Sequence, residues 1–538
     1  MLLTILAQLA LAPVLSGPAA DSVPLYTDLG RYQRTVATRA PAAQRYFDQG
    51  LRLVYAFNHG EAIRAFREAQ RLDPNCAMCY WGEAFAWGPH VNAGMDSASG
   101  VAAYAAAQKA MTHLPHASPV EQALIRAVAA RYASPPPADR ALLDSAFANG
   151  MAAAARQFPN DLDVATIYAE ALMDLRPWNY WKREDGSAYP GTTIIVAQLE
   201  KVIAANPNHP GACHYYIHAV EAVAPEKAVP CAERLAGLMP GAGHLVHMPA
   251  HIYIRVGGYA DAITANEHAV HADDVYIEGQ QPQGVYPVGY RPHNHHFLAF
   301  AAMLSGRSAV SIASAEKTAA TTPVEIAKAV PFVEPYVQYP WLMLVTFGRW
   351  DDLLARPMPS AELPYTRAMA HYARGVAFAA KGDWTSAGAA LDSVKAIAGT
   401  GAGGYMSAGW TTPSTNLQIA VHALSGEIAT RQGKLDEAMT HFSAAMQIED
   451  RQLYTEPPDW YYPIRHSLGA VLLKAGRPAD AEAMYRQDLK RFPENGWALF
   501  GLAQALHAQN KHADAAAVDA RFKKAWEGAD VTLTGSRF

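Results

Sequence analysis

The stretch Gln44–Asn75 reads QRYFDQGLRLVYAFNHGEAIRAFREAQRLDPN, and the spacing of its small, aromatic and proline residues decides the fold. Gly50 stands on a first predicted helix, Ala62, Phe66 and Ala69 on a second, and Pro74 closes the unit. The same offsets return at Gly426, Ala438, Phe442 and Ala445, and again at Gly469, Ala481, Tyr485 and Pro493, with the alanine 12 residues after the glycine each time. Small residues let two helices approach closely, the aromatic fills the gap, and each hairpin leaves an apolar face that only the next hairpin can cover. Weaker copies fit around Ala169, Gly375 with Ala387, and Ala515. Alternating Val/Ile/Thr runs are scarce, whereas Ala102 to Thr112 and Ala141 to Phe158 read as helix. The expected class is all-α, a solenoid of stacked helical hairpins.

Composition narrows the function classes. With 538 residues, 51% hydrophobic and 17% charged, the chain is too apolar to be disordered and should bury a large core. Lys plus Arg (44) against Asp plus Glu (49) leaves a formal charge of -5, without the basic excess that neutralising phosphates needs, so no nucleic-acid partner is expected. Four cysteines are too few for a disulfide scaffold. No apolar run is long enough to span a membrane. Leu2 to Leu15 followed by Ser16-Gly17-Pro18-Ala19-Ala20 has the apolar core and small-residue ending of a secretory signal, although no Lys or Arg precedes it. The expected plan is a signal peptide over 1–20, N-terminal hairpins over 40–160, and His-rich central hairpins over 161–310. A connecting stretch over 311–360 and C-terminal repeats over 361–530 complete it. The expected location is periplasmic or secreted.

Histidine carries the strongest chemical signal. Of 21 in the chain, 11 lie between His209 and His296, where an even spread would put about two. His214, His218 and Glu221 are spaced 4 and 3 apart and share a helix sector of roughly 60°. His244, His247 and His251 do the same, His268 and His271 sit on the following helix, and Pro292 reads as the start of another that carries His293 and His296. Imidazoles one turn apart bring two nitrogens to one ion at about 2.0 to 2.1 Å, so a transition metal is expected on His214, His218, His244, His247, His251, His293 and His296. Copper, zinc and iron all suit imidazole, and Met239 and Met248 keep copper in view. Glu221 and Tyr253 are candidate proton-handling catalytic groups; Glu267, His268, His271 and Tyr290 are candidates for the surrounding shell. Pro249 breaks the helix pattern and either kinks it or starts a new helix near Met248. His59, His90, His371, His422, His441, His466, His507 and His512 read as ordinary packed histidines.

The repeat resembles the tetratricopeptide repeat, which implies a right-handed superhelix. Tyr46-Phe47-Asp48-Gln49-Gly50-Leu51, Phe57-Asn58-His59, Leu72-Asp73-Pro74-Asn75-Cys76-Ala77-Met78 and Trp87-Gly88-Pro89-His90-Val91-Asn92 together look like a bacterial family of exported tetratricopeptide-repeat proteins. That resemblance implies a fold and not an activity. Aligning Ala262 on the small residue of the second helix sets Gly243 as repeat position 1. His244, His247 and His251 then fall on positions that line the family's concave groove, where a small molecule or peptide binds.

The remaining motifs discriminate little. Cys76 and Cys79 form C-x-x-C followed by Tyr80, which excludes a c-type haem site and reads as helix packing more readily than as a redox or metal pair. Cys213 and Cys231 fall on paired helices and could bridge in an oxidising compartment. Gly399 to Gly404 matches a dinucleotide fingerprint only in letters, since helix rather than strand precedes it. Pro- and Gly-rich breaks fall at Ser134–Pro137, Tyr276–Pro292, Pro357–Pro364 and Gly399–Gly404, the stretch Gln280 to Tyr290 being a candidate lid. Two readings from different classes follow: a metal-dependent binding protein or enzyme, hydrolytic or oxidative, and a scaffold gripping a peptide in its groove without metal. A metal-free histidine pH sensor is a third.

Overall fold

A computed structural model describes residues 23–282, 284, 286–404 and 412–538. The signal peptide expected over 1–20 lies outside them. Among the described residues the chain is all-α: helix follows helix from Pro41–Tyr55 to His512–Ala525, with two isolated backbone bridges and no strand. None of these helices is long and apolar enough to cross a membrane.

Each repeat is built around the wedge that its spacing predicts. Phe66, on His59–Leu72, lies so close to Gly50 on Pro41–Tyr55 and to Gly82 on Ala77–Ala86 that a Cβ at either glycine would stand 2.6 or 2.3 Å from its ring. Tyr485 is seated in the same way between Gly469 and Gly501, where a Cβ would approach its ring to 2.4 and 2.3 Å, and Phe442 packs on Gly426. The aromatic of one hairpin therefore touches the first helix of its own hairpin and, at Phe66 and Tyr485, that of the next. Sequential stacking is the consequence. Phe66, Phe442 and Tyr485 are all at most 1% exposed.

The chain divides into two compact units, residues 1–252 with 268–287, and residues 253–267 with 288–538. The division falls inside the stretch expected as one set of central hairpins. In the first unit the N-terminal segment is stitched to the repeats by a buried polar network. Arg34 pairs with Asp161 and Asp163 at 2.8 and 2.9 Å, and the hydroxyls of Tyr32 and Tyr55 both donate to Asp163 Oδ1, at 2.7 and 2.6 Å. In the second unit the segment Leu533–Phe538 lies across successive first helices. Arg537 bonds Glu427 at 3.0 Å, Ser536 donates to the carbonyl of His466 at 2.9 Å, and Phe538 packs edge-on against Trp497. Gly348, at φ +65°, leaves room for the Phe538 ring.

Two expectations about breaks change. Tyr276 to Gln280 is not loop, because Tyr259–Gln280 is one continuous helix, and Tyr286–Tyr290 forms a π turn before Arg291–Leu304. Cys76 caps the Ala77–Ala86 helix, accepting from the Cys79 amide at 3.2 Å, and is bonded to Cys79, so the pair is both packed and cross-linked. Cys213 and Cys231 also pair, joining Pro210–Val220 to Val229–Leu238.

Candidate metal centre

Local sequence sets the first ring of the site. His209 caps Pro210–Val220 by accepting from the Ala212 amide at 3.1 Å, and Pro210 opens the helix with a backbone already set for it. The lack of a side chain at Gly211 admits the ring of Tyr55, to which an added Cβ would come within 2.4 Å. Tyr55 is thereby held at both ends, its hydroxyl on Asp163 and its carbonyl accepting from His214 Nδ1 at 2.7 Å. That hydrogen bond leaves the lone pair of His214 on Nε2, which faces His244 Nε2 at 3.2 Å.

Glu221 orients the next two rings. Its Oε1 takes His218 Nδ1 at 3.2 Å and its Oε2 takes His251 Nδ1 at 2.6 Å, so both imidazoles also present Nε2 inward. His218 Nε2 has no hydrogen-bond partner among the described residues although the side chain is 2% exposed. One ring nitrogen from each of His214, His218 and His244 lies within 4.8 Å of the other two, and His218, Glu221 and His251 form a second such set. His247 Nε2 and His251 Nε2 stand 3.0 Å apart.

Pro249 explains how three rings from one stretch reach these places. The helix stops at His247 and restarts at Pro249, with Met248 between, so Gly243–His247 carries His244 and His247 while Pro249–Val256 carries His251. Gly243, at the start, lies against Asp273 Oδ1 with no room for a Cβ.

Burial keeps His214 and His218 neutral. Burial, aided by neighbouring imidazoles, holds His214 well below the ordinary histidine range, and burial also lowers His218 against the pull of Glu221. Burial works to raise the Glu221 carboxyl, but His251 and His218 overcome it and bring it down to about 2. Neutral imidazoles beside an ionised carboxylate are the protonation states a divalent ion requires.

The walls are aromatic and strained. Phe57 has φ +55° and Trp178 φ +63°, the left-handed region that bulky residues avoid. The Phe57 ring sits 4.4 Å from His214 and 4.4 Å from His90, and stacks on His244 at 5.5 Å. Trp178 meets His218 edge-on at 5.0 Å and donates to Asn92 Oδ1 at 3.1 Å; Trp181 ties the same loop to the Ala219 carbonyl at 2.7 Å. His244, His247 and His251, which the repeat alignment placed on a ligand-lined groove, are at most 1% exposed.

Other expected residues fall elsewhere. Glu267, His268 and His271 are exposed on Tyr259–Gln280, which rules them out as a buried shell around the rings. Tyr253 follows His251 by two residues, which turns it about 200° around the same helix, away from the direction His251 takes. Glu221 accepts a ring N–H on each oxygen, from His218 Nδ1 on one and His251 Nδ1 on the other. His296 and Tyr290 belong to the second unit, where His296 packs against Tyr339 at 3.9 Å.

His59 and His90, read as ordinary packed histidines, join the cluster through Phe57. Their rings are 4.4 Å apart, and His59 Nε2 is buried with no partner among the described residues. Phe57-Asn58-His59 and the Trp87 to Asn92 stretch carry the family resemblance, and their residues meet at this wall. By contrast His466 on Asp488 and His507 on Asp519, both at 2.9 Å, are satisfied by carboxylates.

Residues 467–530 match the family described as Tetratricopeptide repeat. No curated protein matches the chain. A solved structure of an IFIT1 monomeric mutant with Gppp-AAAA is similar at 11% identity and a TM-score of 0.33, over 90% of this chain and 91% of that one. The human IFIT1 dimer with m7Gppp-AAAA is similar at 11% identity and a TM-score of 0.31, over 90% of each chain. The Naa15/Naa10 complex bound to HypK-THB follows at 12% identity and 0.23, over 90% of this chain and 70% of that one. The protein is an all-α chain of stacked helical hairpins whose residues 467–530 match the tetratricopeptide repeat.

Proposed function

We propose that this is an exported transition-metal protein whose ion is held by the Nε2 atoms of His214, His218 and His244 in the first unit. One observation carries the reading: three buried imidazoles converge while Tyr55 and Glu221 take the Nδ1 protons of His214 and His218, and the Nε2 of His218 has no hydrogen-bond partner among the described residues. Burying a polar nitrogen in this way is unfavourable unless something else completes it. An imidazole-only set fits zinc, copper(II) or iron(II), and both cysteine pairs are engaged with each other and so supply no thiolate. Three protein ligands leave an open position, which is the arrangement of a site that activates water or dioxygen, so a hydrolytic or oxidative reaction follows if substrate reaches it. Two disulfides fit an oxidising compartment such as the periplasm.

The scaffold alternative is less well supported. In the second unit Glu427 stands at the repeat position that His251 occupies in its own repeat, and Arg537 of the Leu533–Phe538 segment already fills it. The test is elemental analysis of tag-free protein taken from the compartment it enters, beside His214→Ala and His218→Ala variants. Stoichiometric metal in the wild type and its loss in folded variants are expected. Metal-free wild type that cannot be loaded with zinc, copper or iron contradicts the proposal.

A further inference from the structure

We infer that the cluster is built for two ions rather than one, the second held by the Nε2 atoms of His247 and His251, with Glu221 shared between the two positions. The inference rests on the metal reading above and goes beyond it in the number of ions.

The first support is edge length. Two nitrogens bound to one ion at about 2.0 to 2.1 Å, with an angle between right and tetrahedral, stand roughly 2.9 to 3.4 Å apart. His214 and His244 present Nε2 atoms 3.2 Å apart, and His247 and His251 present theirs 3.0 Å apart. Both pairs have the separation of adjacent ligands on an ion.

The second is that the pairs are separate foci. Ring centroids are 4.9 Å apart within His214–His244 and 4.8 Å within His247–His251, against 5.9 Å between His244 and His247, while His218 stands between the pairs at 5.0 Å from His214 and 5.5 Å from His251. His244 and His247 do not fall in a common ligand set, whereas each has near neighbours on its own side.

The third is Glu221, whose two oxygens each take the Nδ1 of one ring from each focus, His218 on one side and His251 on the other. A carboxylate used in this way orients and polarises ligands of two ions at once. The break at Met248 serves the same end, since His247 ends one helix and His251 lies in the opening turn of the next.

Titration of metal-free full-length protein with zinc alone, read by elemental analysis after gel filtration, decides the matter. Two equivalents are expected in the wild type, one in His247→Ala/His251→Ala and one in His214→Ala/His244→Ala; Glu221→Gln should weaken both by about 10- to 100-fold. Wild-type protein loaded with copper(II) gives a readout that needs no variant: the second equivalent should broaden or reduce the paramagnetic resonance signal of the first. Uptake of one equivalent, whether lost in one double variant or in both, or a second equivalent magnetically independent of the first, overturns the inference while leaving the metal reading in place. No uptake at all defeats the metal reading itself.

Discussion

Phe66 fills a space that exists only because Gly50 and Gly82 carry no side chain, and it is fully buried there. Phe66→Ala should therefore lower unfolding free energy by about 3 to 5 kcal/mol in denaturant titration, without moving metal content; a loss below about 1 kcal/mol would mean the wedge is dispensable. This residue pattern was legible because its small and large positions recur at fixed offsets. The strain at Phe57 and Trp178 was not, since nothing local marks a phenylalanine or tryptophan for φ above zero; tertiary packing on the imidazoles holds them there. His296 illustrates the opposite failure. Its spacing in the sequence matches a ligand, but its ring packs against Tyr339 and Tyr336 and falls in none of the close histidine groups among the described residues; burial there depresses its pKa to about 3. Because the folded value lies below the unfolded one near 6.5, the unfolded chain takes the proton first. Stability is full above about pH 6.5 and falls by up to about 1.4 kcal/mol per pH unit as acid is added. His296→Phe should flatten that acid limb in pH-dependent urea titrations; an unchanged slope would contradict the burial.

At the scale of elements, the helix Pro210–Val220 is fixed by four devices: the His209 cap, Pro210, the Gly211 contact with Tyr55, and the Cys213–Cys231 bond to the next helix. The bond adjoins His214, so reducing it should loosen a ligand-bearing helix. A loop of this length contributes about 3 kcal/mol. Reduction is expected to lower thermal stability by that order and to raise the metal dissociation constant in a competitive chelator assay, while an unchanged constant would show that the repeats alone hold the ring in place. The same scale shows why part of the site was readable. Helical periodicity put His214 with His218 and Glu221, and made Pro249 a break beside His247 and His251. It said nothing of which hairpins meet, so Tyr55, His59 and His90, more than 100 residues upstream, escaped it. Exposure of His268 and His271 was likewise invisible, because a four-residue step or less marks a helix face without saying whether that face is buried.

At the scale of the whole molecule, repetition accounts for nearly all of the all-α architecture, and a departure from it accounts for the buried histidine cluster. Ordinary repeats place small and aromatic residues on their contact faces, whereas the repeat opening at Gly243 places three imidazoles there and breaks its helix to aim them. The fold class, the repeat register and the His-rich window were all accessible from spacing. The division of the chain into two units was not, because the exchange of residues 253–267 and 268–287 between them depends on contacts far apart in sequence. Anomalous diffraction from crystals of metal-loaded protein, collected on either side of the metal's absorption edge, shows whether an ion sits among the buried imidazoles. A peak about 2.0 to 2.1 Å from Nε2 of His214, His218 and His244 is the predicted result. Well-ordered rings with no anomalous density between them, in protein shown to be loaded with metal, would contradict it.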